Sequence, residues 1–487
     1  MSKLSRREFL TKALMAGSGL CWLSVSLRAE TKSRKTTDNT VKKPHVLFIM
    51  LDDMGYGDAG CYNPESKIPT PSIDRIAKEG MRFTDAHAPG ALCVPSRYGF
   101  LTGRYPSRGG RCQIKSGTET IASFLKRHSY KTGMVGKWHN GFDNIDGWKG
   151  KLEGGPCGCG FDYFFGIPHS LDIQPYLYIE NNHVVQPPTE TTVRGKEATA
   201  GIYDSKGWNK IQGAFWRSGQ IAPDFKHSEV LGKFTKKAIS FLHDHRNTQS
   251  KKPFFLYLAY AGPHTPWLPS DKFKGKSGAG LYGDFLMEID HEIGRVIEAL
   301  ERDGFKDNTL IMVSSDNGPV WYPSNTTEYE HSSVGPLRGM KADAFEGGHR
   351  MPFVASWPGK IPAGSICRET ICLTDIMRTL ASVIGEELPE GVGIDSYDIL
   401  PLLLGEKKGP VRDMTIHKSR FLAIRKGEYK FLDGKGSGGF SKVKVAPGAP
   451  PGQLYDLEKD LGETNNIYRQ HPEMVEKLKA LLNEYKN

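Results

Sequence analysis

Strand-like and helix-like patterns alternate along most of the chain. Apolar, β-branched runs of the kind found in buried strands occur in HVLFIMLDD (45–53), YKTGMVGKW (130–138), KPFFLYLAYAGPH (252–264), NTLIMVSSDNG (308–318) and RMPFVASWPG (350–359). Between them, apolar residues recur at helical spacing in TIASFLKRHS (120–129), GDFLMEIDHEIGRVIEALERDG (283–304) and TDIMRTLASVIG (374–385). This alternation predicts an α/β fold with a large, mostly parallel sheet flanked by helices.

The pattern changes near residue 411. Short strand-like pieces, FLAIRKGEYKFL (421–432) and GQLYDLEKDL (452–461), are separated by Gly/Pro loops, and PEMVEKLKALLNEYK (472–486) has helical spacing. We therefore expect a main domain over 44–410 and a small C-terminal domain over 411–487, with an antiparallel sheet and a terminal helix. The loop-rich stretch 186–227 is expected to line a substrate cleft.

The N-terminus has the features of an export signal. SRREFL (5–10) contains paired arginines, and the apolar stretch 13–27 has 15 residues, fewer than the ~20 that a membrane-spanning helix needs. We interpret 1–29 as a twin-arginine signal peptide and 30–43 as a polar linker. This predicts a periplasmic or secreted protein that uses the twin-arginine export machinery and has no stable membrane span. A membrane anchor or an accidental arginine pair is the alternative.

Composition and charge narrow the function classes. The chain has 487 residues, 38% hydrophobic and 25% charged, typical of a soluble globular protein with ample core. Its net charge is +10, but residues 1–29 carry +4 of this, and no basic motif interleaved with aromatics is present. Nucleic acid is therefore not expected as a partner. Seven of the eight cysteines follow the signal segment, an odd number that leaves one without a disulfide partner if the others pair.

Polar residues end several of the predicted strands. Asp52 and Asp53 follow one strand, and Asp316 and Asn317 follow another. Carboxylate and amide oxygens suit a hard divalent cation. Each pair alone is more often a helix cap or a turn, but two such pairs at one edge of an α/β sheet favour a metal site.

Basic side chains are expected at the same edge. Lys137 and His139 flank Trp138, and strand alternation would point both to one face. His264 ends another strand, and Lys341 lies in a glycine-rich segment. An isolated lysine is normally a solvated surface charge, and an isolated histidine is often a core residue. Beside a metal site, this set instead indicates that a multiply charged oxyanion is bound.

The segment CVPSR (93–97) fits the C-x-P-x-R signature of the type I sulfatases, which belong to the alkaline phosphatase superfamily. Further blocks resemble the same family in the same order: HVLFIMLDDMGYGD, CVPSRYGFLTGRYP, GMVGKWHNG, YAGPHTPW, VSSDNG, LRGMKADAFEGGHRMPFVASWPG and QLYDLEKDLGETNNI. The resemblance extends from about residue 45 to the C-terminus. It implies a sulfuric ester hydrolase.

The resemblance also implies roles for individual residues. Cys93 matches the cysteine that a formylglycine-generating enzyme oxidises to formylglycine (3-oxoalanine). Asp52, Asp53, Asp316 and Asn317 match ligands of one Ca²⁺ ion, with modified Cys93 as a further ligand. Arg97 matches the arginine that holds the formylglycine hydrate, and His139 matches the histidine beside that hydrate. Lys137 and Lys341 match the lysines that contact the sulfate oxygens. His264 matches the histidine near the leaving oxygen.

This assignment gives Cys93 a chemical role. A thiol is a poor nucleophile for a sulfate ester because its adduct has no easy exit, whereas an aldehyde hydrate has two hydroxyls on one carbon. One hydroxyl attacks sulfur while His264 protonates the leaving alcohol. The other is deprotonated, with His139 as the base, so that sulfate is expelled. A sulfated carbohydrate or an aryl sulfate is the expected substrate.

The sequence leaves two alternative functions open. The first is a phosphonate or phosphodiester hydrolase of the same superfamily, since some phosphonate hydrolases carry C-x-P-x-R. Two-zinc relatives commonly have Asp-His where this chain has Asp316-Asn317, so Asn317 favours a sulfatase. The second is a non-catalytic binder of sulfated glycans, which would be expected to have lost a motif residue; none is lost.

Overall fold

The structure, a computed structural model, describes residues 42–108, 110–192, 212–248 and 250–486. The strands in these residues are β1 (His45–Asp52), β2 (Met81–His87), β3 (Lys131–Lys137), β4 (Tyr163–Ile167), β5 (Ile179–Glu180), β6 (His183–Val184), β7 (Glu190–Thr192), β8 (Gly219–Ile221), β9 (Phe254–Pro263), β10 (Thr309–Ser315), β11 (Arg350–Ser356), β12 (Ser365–Cys367), β13 (Ile371–Cys372), β14 (Met414–Lys418), β15 (Leu422–Lys426), β16 (Tyr429–Leu432) and β17 (Gln453–Asp456). The α-helices are α1 (Pro71–Glu79), α2 (Cys93–Thr102), α3 (Ile121–Arg127), α4 (Gly155–Gly158), α5 (Val230–Asn247), α6 (Gly280–Arg302), α7 (Pro323–Tyr329), α8 (Glu346–His349), α9 (Ile376–Val383), α10 (Leu400–Leu403) and α11 (Pro472–Asn483).

A large sheet forms the centre of the molecule. Its strand order is β12-β2-β11-β10-β1-β9-β3-β4-β5-β6, and β13 also pairs with β2. The five strands β10, β1, β9, β3 and β4 run parallel, and every residue of β1 and β9 is buried. Burial on both faces explains the uninterrupted apolar runs in their sequences.

The predicted α/β fold with a mostly parallel sheet is confirmed, but both margins of the sheet are mixed. β11 pairs antiparallel with β10 and with β2, and β5 pairs antiparallel with β4 and β6. The apolar run of β11 resembles those of the central strands, so its sequence carried no sign of its direction.

Helices cover the sheet by burying one face each. On α6, Phe285, Ile289, Ile293, Val296 and Leu300 are buried at helical spacing, and the helix contacts β9, α5 and α1. Each such side chain contributes about 1.5–3 kcal/mol when it is fully removed from water. The amphipathic pattern seen in the sequence therefore packs this helix directly behind the central strands.

The predicted C-terminal antiparallel sheet and terminal helix are present. The strands β14-β15-β16-β17 are antiparallel throughout, and α11 packs Val475, Leu478 and Leu482 into the same apolar cluster as Ile424 and Phe431. Residues Lys43–Asn487 form one compact unit, so the domain boundary at 410/411 remains a prediction.

Some predicted features fall partly outside the described residues. The signal segment and most of the linker lie there, as do residues 193–211 of the loop-rich stretch; its described parts include the short β7–β8 pair. No described helix combines the length and apolarity needed to cross a membrane. The seven described cysteines are all free thiols.

Candidate functional site

The carboxyl ends of four neighbouring parallel strands bring the predicted polar residues together. β1 ends at Asp52, β3 ends at Lys137, and β9 and β10 lead directly into His264 and Asp316. Because these strands are parallel neighbours, their ends lie at the same edge of the sheet. The expected convergence of the four strand ends is confirmed.

The acidic side chains meet through a change in backbone direction after β1. Consecutive strand residues point to opposite faces, but Asp53 has a left-handed backbone (φ 68°) that ends this alternation. The Asn317 side chain lies 2.6 Å from Asp53 Oδ1, and the Asp53 amide donates to Asp316 Oδ1 at 3.3 Å. Tyr282 hydroxyl donates to the Asp53 carbonyl at 3.1 Å and holds this turn.

Three cations neutralise the three carboxylates. Lys137 Nζ is 2.6 Å from Asp52 Oδ2, Lys341 Nζ is 2.6 Å from Asp53 Oδ1, and Arg97 Nε donates to Asp316 Oδ2 at 2.8 Å. These side chains are buried, so their charges interact with little screening. The arrangement is charge-balanced before any ligand is bound.

The field inside this cluster acts differently on its members. Burial alone would raise the pKa of Asp52, but the charge of Lys137, assisted by His264 and Arg97, holds that pKa well below its usual range. Burial and repulsion from Asp52 raise the pKa of Asp316 to about 6, despite the opposing charge of Arg97. Burial would lower the pKa of Lys341, yet Asp53 and the other nearby anions raise it above its ordinary value.

Cys93 is the first residue of α2, and Arg97 follows one turn later on the same helix. Arg97 reaches across to Asp316, and its Nη1 donates to the Lys137 carbonyl at 3.3 Å. Burial raises the pKa of the Cys93 thiol to about 11, since Lys137 and Lys341 oppose this effect only in part. At neutral pH the thiol is therefore protonated and a weak nucleophile.

The loop that carries Lys341 is fastened to the segment before Cys93. The Lys341 amide donates to the Pro319 carbonyl at 2.8 Å, and the amide of Ala342 donates to the Ala91 carbonyl at 2.7 Å. Ala342 has a left-handed backbone (φ 70°). These bonds direct the lysine to Asp53 although its segment contributes no strand to this edge.

His264 is oriented by its surroundings. Its Nδ1 is 2.8 Å from the carbonyl oxygen of Thr265, an acceptor, so Nδ1 carries the proton and Nε2 faces Asp53 Oδ2 at 3.8 Å. Asp172 Oδ1 lies 3.9 Å from Nδ1, is buried, and has no hydrogen-bond partner among the described residues. Arg217 binds the other carboxylate oxygen, Oδ2. Asp172 is thus placed to stabilise a protonated His264.

His139 reaches the site by a different route from the one expected. β3 ends at Lys137, and His139 has a left-handed backbone (φ 67°), so the expected strand alternation between the two is wrong. Burial, together with the charge of Lys137, keeps its pKa well below the ordinary value. Its Nδ1 is buried without a hydrogen-bond partner in the described residues.

The donor set fits a divalent cation. Ligand atoms of Asp52, Asp53, Cys93 and His264 all lie within 4.8 Å of one another. Asp52 Oδ1 and Asn317 Oδ1 are buried and lack hydrogen-bond partners among the described residues. Unsatisfied buried oxygens are costly unless something binds them, and the oxygens of Asp52, Asp53 and Asn317 suit a hard ion such as Ca²⁺.

The ten predicted site residues thus lie in one cluster, in which His139 is half-buried and the other nine are buried. Residues of two further loops differ in whether they adjoin this cluster. His331, from EYEHSS (328–333), is bonded to Asp58 at 2.9 Å and is structural. His169 and Asp172, from HSLDIQPY (169–176), adjoin the cluster through His139 and His264. Their segment was recognisable in the sequence as polar and loop-like, but nothing there indicated which of its residues face the site.

The chain is similar to known proteins over most of its length. A family model described as Sulfatase matches residues 44–386. The chain is 34% identical over 495 residues to an N-acetylgalactosamine-6-O-sulfatase of Bacteroides thetaiotaomicron, covering 93% of this chain and 95% of the relative. It is 33% identical over 472 residues to human arylsulfatase A, covering 90% and 87%. A solved chain labelled 6S-sulf, from work on glycosaminoglycan metabolism by Bacteroides thetaiotaomicron, matches with a TM-score of 0.78 and 32% identity, covering 91% of this chain and 99% of that one.

Proposed function

The chain belongs to the sulfatase family and is a sulfate ester hydrolase, and from this premise we propose that it desulfates sulfated carbohydrates through a formylglycine made from Cys93, with one Ca²⁺ ion. The observation that carries the proposal is the buried, charge-balanced cluster around Cys93, in which Asp52 Oδ1 and Asn317 Oδ1 have no hydrogen-bond partner among the described residues and the thiol is held in its protonated form. The carbohydrate class is supported by the names of the relatives.

Asp52, Asp53, Asp316 and Asn317, with residue 93, would hold the Ca²⁺ ion. When both groups are in place, formylglycine supplies a hydrate with two hydroxyls on one carbon, and the ion polarises the sulfate oxygens and lowers the pKa of that hydrate. Lys137 and Lys341 are paired with Asp52 and Asp53, and with a cation bound to these carboxylates both lysines would be able to contact the sulfate oxygens. Their charges then balance the negative charge of the transition state.

Two histidines handle protons on opposite sides of the sulfur. Nδ1 of His264 donates a hydrogen bond to the Thr265 carbonyl. Nε2 is therefore the atom that protonates the leaving sugar oxygen. His139 is neutral at neutral pH because burial and Lys137 lower its pKa. It can therefore accept the proton from the second hydroxyl at Nδ1, which has no hydrogen-bond partner in the part of the chain that the structure describes. Arg97 keeps residue 93 in register with both histidines through its bonds to Asp316 and the Lys137 carbonyl.

Maturation and export follow from the same proposal. A formylglycine-generating enzyme modifies Cys93, with Pro95 and Arg97 as part of its recognition signal. Residues 1–29 direct the folded protein through the twin-arginine machinery to the periplasm or beyond, the polar segment 30–43 is a linker, and 411–487 form the small domain. Blocking export by Arg6→Lys with Arg7→Lys and locating the protein by cell fractionation tests the targeting part.

The reaction is tested by sulfate release. Protein co-produced with a formylglycine-generating enzyme is incubated with N-acetylgalactosamine sulfated at O3, O4 or O6, with 4-nitrophenyl sulfate and with a phosphonate monoester. We expect calcium-dependent sulfate release from at least one sugar, absent in Cys93→Ala. Hydrolysis of the phosphonate in preference to every sulfate ester would instead support the alternative superfamily activity.

A further inference from the structure

Three aromatic rings form a continuous row beside the catalytic cluster. The rings of His139 and His169 have centroids 5.9 Å apart at an interplanar angle of 65°, and those of His169 and Trp148 are 6.0 Å apart at 81°. We call His139, His169 and Trp148 the aromatic wall. Only its first member, His139, takes part in the proton transfers described above.

Trp148 is fixed in place before any ligand arrives. It has a left-handed backbone (φ 60°), which costs a bulky residue energy and persists only where the surroundings enforce it. Phe142 packs edge-on against its ring at 5.9 Å. The loop around it is tied by backbone bonds from Asp143 to Glu153 at 2.9 Å and from Leu152 to Asn182 at 2.7 Å. The half-buried indole thus lies on a loop whose two arms are joined by backbone hydrogen bonds.

His169 has free hydrogen-bonding capacity at the middle of the wall. Its ring nitrogens form no hydrogen bond with the described residues, although the side chain is only partly exposed. Burial, with a smaller contribution from the charge of Lys137, lowers its pKa to about 4. At neutral pH the ring therefore offers one donor and one acceptor and no charge.

The wall and the two lysines have complementary chemistry. Lys137 and Lys341, whose charges are balanced here by Asp52 and Asp53, would provide positive charge for an anion when the proposed cation is bound to those carboxylates, whereas Trp148 and His169 provide an apolar face and neutral polar atoms. A pyranose ring has this combination, with C–H groups on its faces and hydroxyls at its edge. A pyranose whose sulfate lies among the lysines can therefore rest on the wall.

We propose that Trp148 and His169 form the subsite for the sugar ring that carries the sulfate, with Trp148 packed on a face of the pyranose and His169 hydrogen-bonded to one of its hydroxyls. The inference rests on the proposed function, and it adds the residues that recognise the uncharged part of the substrate. Both side chains act as binding groups; neither transfers a proton or contacts sulfur.

The test compares Trp148→Ala, His169→Ala and Trp148→Phe with Ile145→Ala, a control on the same loop whose side chain is 38% exposed. We measure kcat and KM for the preferred sulfated N-acetylhexosamine, and we also measure the inhibition constant of inorganic sulfate. Inorganic sulfate probes only the part of the site around Lys137 and Lys341 that binds the sulfate group. Each alanine variant is expected to lose roughly tenfold or more in kcat/KM, mainly through KM. The sulfate inhibition constant should stay within about twofold, Trp148→Phe should regain part of the loss, and the control should match the wild type.

Three results would overturn the proposal. One is unchanged kcat/KM in both alanine variants, and another is a sulfate inhibition constant that rises in parallel with KM. The third uses binding of unsulfated N-acetylhexosamine to Cys93→Ala, measured by saturation-transfer NMR: no difference between Trp148→Ala and Ile145→Ala in that background would exclude the subsite. Because this readout needs no turnover, it separates failure of the wall from failure of the proposed reaction, which 4-nitrophenyl sulfate hydrolysis reports independently.

Discussion

Replacing Lys137 by Met should affect metal binding and catalysis in opposite directions. The ammonium of Lys137 lies 2.6 Å from Asp52 Oδ2 with both side chains fully buried, and its charge is the largest of those that lower the pKa of Asp52. A Ca²⁺ ion that binds Asp52 must compete with this lysine. The same lysine is then the proposed partner of the sulfate oxygens.

The structure sets the expected magnitudes. A hydrogen bond between charged groups contributes about 1.5–3 kcal/mol, so removal of the competing lysine should tighten Ca²⁺ binding about 10- to 150-fold. Without Ca²⁺, the variant leaves the buried Asp52 without its nearest cation, since Arg97 Nη2 lies 3.8 Å away, and loss of one partner of a buried pair costs about 3–5 kcal/mol of unfolding free energy. Loss of a cation that stabilises the transition state should lower kcat about 10²–10³-fold.

Isothermal titration with Ca²⁺, thermal melting in chelator, and sulfate release are the assays. Lys126→Met is the matched control, because it removes a lysine charge from an ion pair with Asp162 at 2.8 Å that is partly exposed and therefore contributes only about 0.2–1 kcal/mol. Equal or weaker Ca²⁺ binding by Lys137→Met would refute the competition. An unchanged kcat for Lys137→Met would refute the proposal that Lys137 contacts the sulfate oxygens.

Three further predictions follow from other groups. His264→Gln should slow release from a sugar sulfate about 10²–10⁴-fold but affect 4-nitrophenyl sulfate much less, since nitrophenolate leaves without a proton; equal losses would contradict the general-acid role. Asp172→Asn, which removes the charge 3.9 Å from His264 Nδ1, should lower kcat/KM for the sugar sulfate about tenfold. An unchanged rate with an unchanged pH-rate profile would exclude the stabilisation of protonated His264 by Asp172. The buried His87, His349 and His417 have lowered pKa values because burial disfavours their charged forms, so they stay neutral in the fold while the unfolded chain protonates them below about pH 6.5. The contribution of these histidines to the free energy of unfolding is therefore fully present above that pH, and it falls by up to about 1.4 kcal/mol per pH unit for each histidine as the pH drops. Urea unfolding at several pH values should show that the free energy of unfolding declines less steeply for His349→Gln than for the wild type. Equal slopes against pH for the two proteins would contradict this prediction.

The sequence patterns predicted the fold wherever burial repeats along an element. The runs of β1 and β9 are apolar on both faces because both faces are covered, and the spacing of α6 reflects its single buried face. The direction of β11 was not predictable, because strand pairing depends on connections that leave no periodicity.

The site was predictable for a different reason. Parallel strand ends must meet at one edge of the sheet, so polar residues directly after Leu51 and Ser315 could be placed together without coordinates. Backbone turns and contacts between distant loops could not be predicted from the sequence. The left-handed residues Asp53 and His139 change which way their neighbours point, and Asp172 meets His264 only through the folding of a loop.

The most direct test of the account is the mass of the tryptic peptide Phe83–Arg97, from protein made with a formylglycine-generating enzyme and assayed for sulfate release in parallel. We predict that Cys93 carries the aldehyde and that sulfate release with Ca²⁺ rises with the modified fraction. A peptide that keeps a plain thiol in a preparation that nevertheless releases sulfate at full rate would contradict it.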